Sequence, residues 1–243
     1  MVLTGSCPWP GSWSRAHGAH LVYQVEGMKQ SFTVLTAPPP ISLYIEGVSA
    51  PEDKQALRTR LRGVRRRLAA AVPDAAARAA RRLPLSRFAR FRIVGAYVAQ
   101  GSEIDPEPLV SAILGYGAGE TQAALPVATD RDGPLKFRLW RPGEPLFPDA
   151  YAIPSPPPLA PDVQPGLMIT PLLAFDRRGG RLGQGGGHYD RTLSALRAIR
   201  PIFVLGLAYS GQELDAVPMA GHDQRLDAIL TETEFIEVAK GRP

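Results

Sequence analysis

Cysteine is almost missing from this chain of 243 residues, in which Cys7 stands alone. One thiol can neither close an internal disulfide nor build a cysteine-rich metal site, so both kinds of scaffold are excluded. A reducing, cytoplasmic setting is the expectation. Long apolar runs are missing as well. None approaches the roughly 18 residues that a membrane-spanning helix needs, and the start lacks the basic stretch and apolar stretch of a signal peptide. Acidic residues are scarce in one region. From Lys54 to Arg92 there are twelve arginines against the single acid Asp74. Such a block suits nucleic acid, an acidic small molecule or plain solvent. No aromatic residue interleaves with the arginines before Phe88, which argues against a surface for single-stranded nucleic acid.

What is present is ordinary for a globular enzyme: 44% hydrophobic and 21% charged residues, with a net charge of +5. Residues 1–50 show no sustained period and include three consecutive prolines at 38–40; they read as an irregular extension, with residues 51–243 as the folded domain. Order begins at "SAPEDKQALRTRLRGVRRRLAAAV", where Ser49 suits an N-cap and Pro51, Glu52 and Asp53 suit a first turn. Leu57, Leu61, Val64 and Leu68 recur at helical spacing. Pro73 and Asp74 open a second helix, which Pro84 interrupts.

Beyond these helices the pattern alternates. Strand-like runs at 92–99, 122–128, 135–140, 166–175, 201–209 and 226–232 are interleaved with helical stretches at 105–119 and 187–199. Residues 148–165 are proline-rich and read as a surface loop. Continuous apolar strands between helices predict a single α/β domain with a mostly parallel sheet flanked by helices.

The densest signal is "GGRLGQGGGHYDR" at 179–191, with six glycines in the nine residues 179–187. It lies between a strand and a helix. A helix N-terminus there offers free N–H groups, and glycines let successive N–H groups converge on an anion without Cβ clashes. Arg181 and Arg191 add positive charge, and Asp190 in the first helical turn could hold a Mg²⁺ ion bridging phosphates. The loop is not a Walker A sequence, since no Gly-Lys-Ser/Thr follows. Nor is it a dinucleotide fingerprint, because no acid ends the next strand. An anion site is as far as the physics leads.

The motifs together carry further. "LLAFDRRGGRLGQGGGHYDRTL" is similar to the signature of the 5-formyltetrahydrofolate cyclo-ligases, whose usual loop ends Gly-Tyr-Tyr-Asp. "KQALRTRLR", "GSEIDP", "LKFRLW" and "AVPMAGHDQRLDAILTE" resemble other segments of that family, and the likeness covers about 51–236. The resemblance implies a fold like that of the sugar-phosphate isomerases and CoA-transferases. It also implies ATP-dependent closure of 5-formyltetrahydrofolate to 5,10-methenyltetrahydrofolate, with ADP and phosphate released, through an iminium phosphate and without a protein nucleophile.

By position it implies ATP contacts from Lys54, Arg58, Arg181, Gly183, Gln184, Gly185, Gly186, Gly187, His188 and Tyr189, folate contacts from Glu103 and Trp140, and Mg²⁺ ligation by Asp190 and Asp227. His222 and Asp223 read as the cap of a turn. Two departures stand out: His188 replaces the family's first tyrosine, and Ser155 stands where many bacterial relatives carry an acid. The expected partner is a folate, with no specific nucleic acid and no membrane, in a monomer or small homo-oligomer. Rival readings are a nucleic-acid-binding or regulatory protein using the arginine-rich helices, and a kinase-like enzyme acting on another small acid.

Overall fold

The computed structural model describes residues 11–16, 20–25, 32–33 and 54–239, apart from 118 and 131. The chain divides into two units, Met1–Tyr44 and Ile45–Pro243. In the first, β1 (Gly11–Ala16), β2 (His20–Val25) and β3 (Phe32–Thr33) form an antiparallel sheet, with Trp13 opposite Tyr23. Irregular is therefore too coarse a description of this stretch. The β-branched and aromatic residues of "HLVYQV" suit a strand even though no helical or alternating period is sustained. Ser49, Pro51, Glu52 and Asp53 lie outside the described residues.

The second unit begins with α1 (Lys54–Ala71) and α2 (Ala75–Ala80), then β4 (Ile93–Gly95), α3 (Glu107–Tyr116), β5 (Gln122–Val127) and β6 (Lys136–Trp140). Short pieces β7 (Phe147–Pro148), β8 (Pro154–Ser155) and β9 (Asp162–Val163) cross the proline-rich stretch. After them come β10 (Leu167–Thr170), β11 (Ala174–Phe175), β12 (Arg181–Leu182), α4 (His188–Ile199), β13 (Phe203–Leu207), β14 (Ala228–Leu230) and β15 (Phe235–Glu237). Eight strands join in the order β15-β14-β13-β10-β4-β5-β6-β9. The five central strands, β14 to β5, are parallel, and β15, β6 and β9 are antiparallel additions at the two sides. The α/β domain with a mostly parallel sheet is as the sequence predicts.

Alternation along the strands divides the core. Leu167, Ile169, Leu205, Leu207 and Leu230 pack with Ala75 and Ala79 of α2 and with Leu109, Val110 and Ile113 of α3. Their neighbours Met168, Val204 and Ile229 pack with Leu193 and Leu196 of α4. Both faces are covered, which is why these strands read as unbroken apolar runs. Helix α1 turns Leu57 and Leu61 toward Leu173, Ala174, Leu182 and Val217.

One predicted strand divides. The run 166–175 pairs in the sheet only as far as Thr170, because Pro171 has no N–H for a ladder. Residues 174–175 then form a small antiparallel hairpin with β12. The buried Asp176 organises its turn, accepting the N–H groups of Arg178 (2.9 Å), Gly180 (2.9 Å) and Val217 (2.8 Å). Two of the six glycines serve this turn: Gly179 has φ +81°, and a Cβ on Gly180 would overlap the Asp176 carboxylate. Replacing Asp176 by alanine would strand three N–H donors. We expect a loss of about 3 kcal/mol or more, read as a lowered urea midpoint with the slope unchanged; a parent-like midpoint would show that water meets these donors equally well.

Candidate active site

Strand order reverses between β4 and β10. The chain leaves β4 toward β5 and leaves β10 toward β13, so the connections part and a crevice opens at the strands' carboxyl ends. A cavity of about 610 Å³ occupies it. Its walls are Lys54 and Arg58 of α1; Tyr97, Gln100 and Glu103 after β4; the run from Arg181 to Asp190; Asp149, Tyr151 and Ile153 between β7 and β8; and the turn with Ala220, His222 and Asp223.

The glycine loop, Gly183, Gln184, Gly185, Gly186 and Gly187, lines this cavity. Gly185 has φ +108°, and an added Cβ would stand 3.4 Å from the Arg58 guanidinium. Gly187, at φ +67°, is the N-cap of α4, and no side chain caps that helix. The first N–H groups of α4 and the positive end of its dipole therefore belong to the cavity. Helix α1 braces the loop from outside. Lys54, Arg58 and Arg62 recur every four residues and so share one side of the helix. Arg58 Nε donates to the Gly183 carbonyl (3.1 Å), while Arg62 donates to Gln184 Oε1 (3.0 Å) and to its carbonyl (3.3 Å).

Charge is closely paired. Arg181, with a side chain only 3% exposed, donates to Asp190 Oδ1 (2.7 Å), which also accepts the Gln224 N–H (3.0 Å). Arg181 Nε is buried without a partner. Lys54 pairs with Asp223 Oδ2 at 2.8 Å, and the same oxygen accepts the Ala220 N–H. Burial alone would raise the Asp223 carboxyl, but the Ala220 N–H and the Lys54 ammonium outweigh it and hold its pKa below the ordinary value. Glu103 is buried against Arg65 at 3.0 Å, and its second oxygen accepts the Gln100 N–H at 3.0 Å.

Two phenols face these charges. Burial first, and then the negative charge of Glu103, raise Tyr97 and Tyr189 above the ordinary tyrosine value. Both therefore stay protonated and can only donate through the O–H or accept as neutral groups. Tyr97 donates to the Ile104 carbonyl at 2.6 Å. The Tyr189 ring lies under the Arg181 guanidinium at 5.9 Å. His188, half-buried at the cavity wall, has Nδ1 3.4 Å from the Gly133 carbonyl and from an Arg191 nitrogen.

Most of the site residues expected from the sequence converge here, and two do not. Trp140 is a core residue, with its indole N–H donating to the Glu144 carbonyl at 3.1 Å. It pairs with Ala123 at the start of β5. Because β6 is antiparallel, its last residue arrives at the amino end of the sheet, away from the cavity. Asp227 immediately precedes β14 and is likewise at the amino end, where Oδ2 accepts the Val204 N–H (2.8 Å) and an Arg197 N–H (3.3 Å). Arg197 is two turns of α4 beyond Asp190. Ser155 is buried, donating to the Phe147 carbonyl at 3.1 Å.

Besides Asp190, the acids lining the cavity are Glu103, Asp149 and Asp223. Among the described residues no group of three or more His, Cys, Asp and Glu side chains is placed to hold a metal ion. Sequence reasoning also missed Arg65, hidden among solvated arginines, and the Tyr151 hairpin. The signal for the hairpin was four large apolar residues, Leu146, Phe147, Tyr151 and Ile153, in a proline-rich loop. Tyr151 is 42% exposed and Phe147 47%. No described helix is long and apolar enough to cross a membrane.

A family model described as the 5-formyltetrahydrofolate cyclo-ligase family matches residues 50–232. A 5-formyltetrahydrofolate cyclo-ligase of Mycolicibacterium smegmatis is 35% identical over 189 residues, which are 75% of this chain and 95% of that one. That of Escherichia coli is 33% identical over 149 residues, or 59% of this chain and 80% of its own length. Among solved structures, the 5,10-methenyltetrahydrofolate synthetase of Aquifex aeolicus superposes with a TM-score of 0.60 at 25% identity, covering 78% of this chain and 95% of that one. The family model covers most of the chain and the Mycolicibacterium smegmatis relative is matched over nearly its whole length, so the chain belongs to the 5-formyltetrahydrofolate cyclo-ligase family.

Proposed function

We propose that this enzyme closes the ring of 5-formyltetrahydrofolate at the expense of ATP, yielding 5,10-methenyltetrahydrofolate, ADP and phosphate. The observation that carries this reading is the meeting of two unlike walls in one cavity. One is a glycine loop at an uncapped helix N-terminus, beside Lys54 and Arg58. The other carries Tyr151 and Ile153 of the β7–β8 hairpin, with Glu103 lining the same cavity. The first wall suits phosphates, and the second suits a flat bicyclic ring with N–H donors.

ATP fits the residues present. A Cβ at Gly185 would lie in contact with the Arg58 guanidinium, and the φ of +108° there suits glycine alone. The buried, unpartnered Arg181 Nε is a donor in want of an acceptor. The terminal guanidinium nitrogens of Arg58 are not used by its bond to Gly183 and can meet phosphate oxygens. Mg²⁺ fits in a narrower sense. Of the acids lining the cavity, Asp190, with Oδ2 outside its bonds to Arg181 and Gln224, and Asp223 would hold the ion. A magnesium ion with so few protein ligands would depend on phosphate and water for the rest, and it would supply neutralisation of phosphate charge.

The formyl oxygen attacks the γ-phosphorus as the bond to ADP breaks. The folate's second nitrogen then bonds the formyl carbon, losing its proton, and phosphate leaves with the oxygen. The protein positions the two substrates and screens charge, and none of its own groups bonds to them.

Mixing protein, 5-formyltetrahydrofolate and Mg²⁺-ATP is expected to raise the methenyl absorbance, and omitting ATP or adding EDTA to abolish the rise. Undiminished turnover in EDTA would refute the metal assignment. Gly185→Val should destroy ATP binding in isothermal titration while the chain still folds, with a melting temperature lowered by several degrees because a β-branched residue is strained at φ +108°. Asp190→Asn should lower turnover about 10²-fold, since charge stabilisation in phosphoryl transfer is worth several kcal/mol, with some thermal loss from the weakened Arg181 pair. Variants that bind and turn over ATP like the parent would place the phosphate site elsewhere. The activity is assigned to residues 51–243, so a chain starting at Val48 should keep its turnover; its loss would give residues 1–47 a part in the site.

A further inference from the structure

Arg65 lies seven residues beyond Arg58 on α1, two turns along the same side. Unlike the arginines around it, it is buried, at 5% exposure. Its guanidinium donates to Glu103 Oε1 (3.0 Å), Ser102 Oγ (3.2 Å) and the Leu172 carbonyl (3.3 Å). Ser102 and Glu103 follow β4, whereas Leu172 follows β10. One side chain thus ties together the two strand ends that form the crevice, and the acid at its wall is among its acceptors.

We propose that Arg65 is the positioning residue of Glu103, setting that carboxylate as an acceptor for N–H donors of the substrate. The inference rests on the folate reading above. With Oε1 held by Arg65 and Oε2 by the Gln100 N–H, the carboxylate cannot rotate, and each oxygen keeps a lone pair for the cavity. A carboxylate held in this way favours a ligand edge of N–H groups and disfavours a carbonyl edge. A guanidinium is expensive to bury, and an apolar side chain of similar volume often serves stability as well or better. The three-acceptor fork accounts for its presence here through orientation of the acid.

The test compares Arg65→Met, Arg65→Lys, Glu103→Gln and the Arg65→Met/Glu103→Gln pair by steady-state titration of 5-formyltetrahydrofolate and of Mg²⁺-ATP. In Arg65→Met the folate KM is expected to rise roughly 10-fold or more, with the ATP KM within about twofold of the parent. Arg65→Lys should recover part of the loss, and the double variant should be no worse than Glu103→Gln alone. Equal increases in both KM values overturn the proposal. So does a double variant whose loss is the product of the single losses, because Arg65 would then act independently of Glu103. A parent-like folate KM in Glu103→Gln removes the folate role of Glu103 and this inference with it. An impaired Glu103→Gln beside a parent-like Arg65→Met removes the inference alone. Should Arg65→Met not fold, Arg65→Gln, which keeps a neutral amide NH2 donor, carries the same comparison.

Discussion

Strands β4 and β10 lie side by side in the sheet, yet the chain leaves them in opposite directions. A connection cannot cover the ground between two that diverge, so their carboxyl ends stay open while the rest of the sheet is sealed by helices on both faces. Everything at the cavity depends on this parting. Tyr97, Gln100 and Glu103 reach it as residues just after β4, and Pro171 and Leu172 as residues just after β10. The glycine loop reaches it because α4 must begin at that end in order to return the chain to β13. Helix α1 bridges the opening, with Leu57 and Leu61 seated on Leu173, Ala174 and Leu182.

The crevice is highly charged, and three of its contacts are ion pairs: Lys54 with Asp223, Arg181 with Asp190, Arg65 with Glu103. The first and third join segments distant in sequence, and the second joins β12 to the start of α4. The turn at 220–224 is the clearest case, holding α1 through Asp223 and α4 through the Gln224 N–H.

Local features were the most legible. The stripe Leu57, Leu61, Val64 and Leu68 marks a helix whatever surrounds it, because its period belongs to the backbone. The glycines at 183–187 before an amphipathic stretch mark a loop into a helix start, where Gly185 and Gly187 take positive φ. Less legible was the division of labour among glycines: Gly179 and Gly180 serve the buried Asp176 turn, which pattern alone does not separate from the loop at 183–187. Arginines were harder still. Arg58, Arg62, Arg65 and Arg66 look alike in the sequence, but Arg65 is buried and Arg66 exposed, and the difference is set by what packs over α1.

Taken alone, the sequence determined the α/β class, the buried parallel strands, the glycine loop at a helix start and the family likeness, because each rests on residues near one another in the chain. Only the tertiary structure decided which acids and aromatics meet there. Trp140 and Asp227 occupy strand-end positions that look right in one dimension, but β6 runs antiparallel and Asp227 precedes its strand, so both come to the amino end of the sheet. Asp223 and Tyr151, on turns that pattern reading leaves undefined, come to the cavity instead. Strand direction and the packing of distant segments fix such placements, and neither is a property of any short stretch of residues.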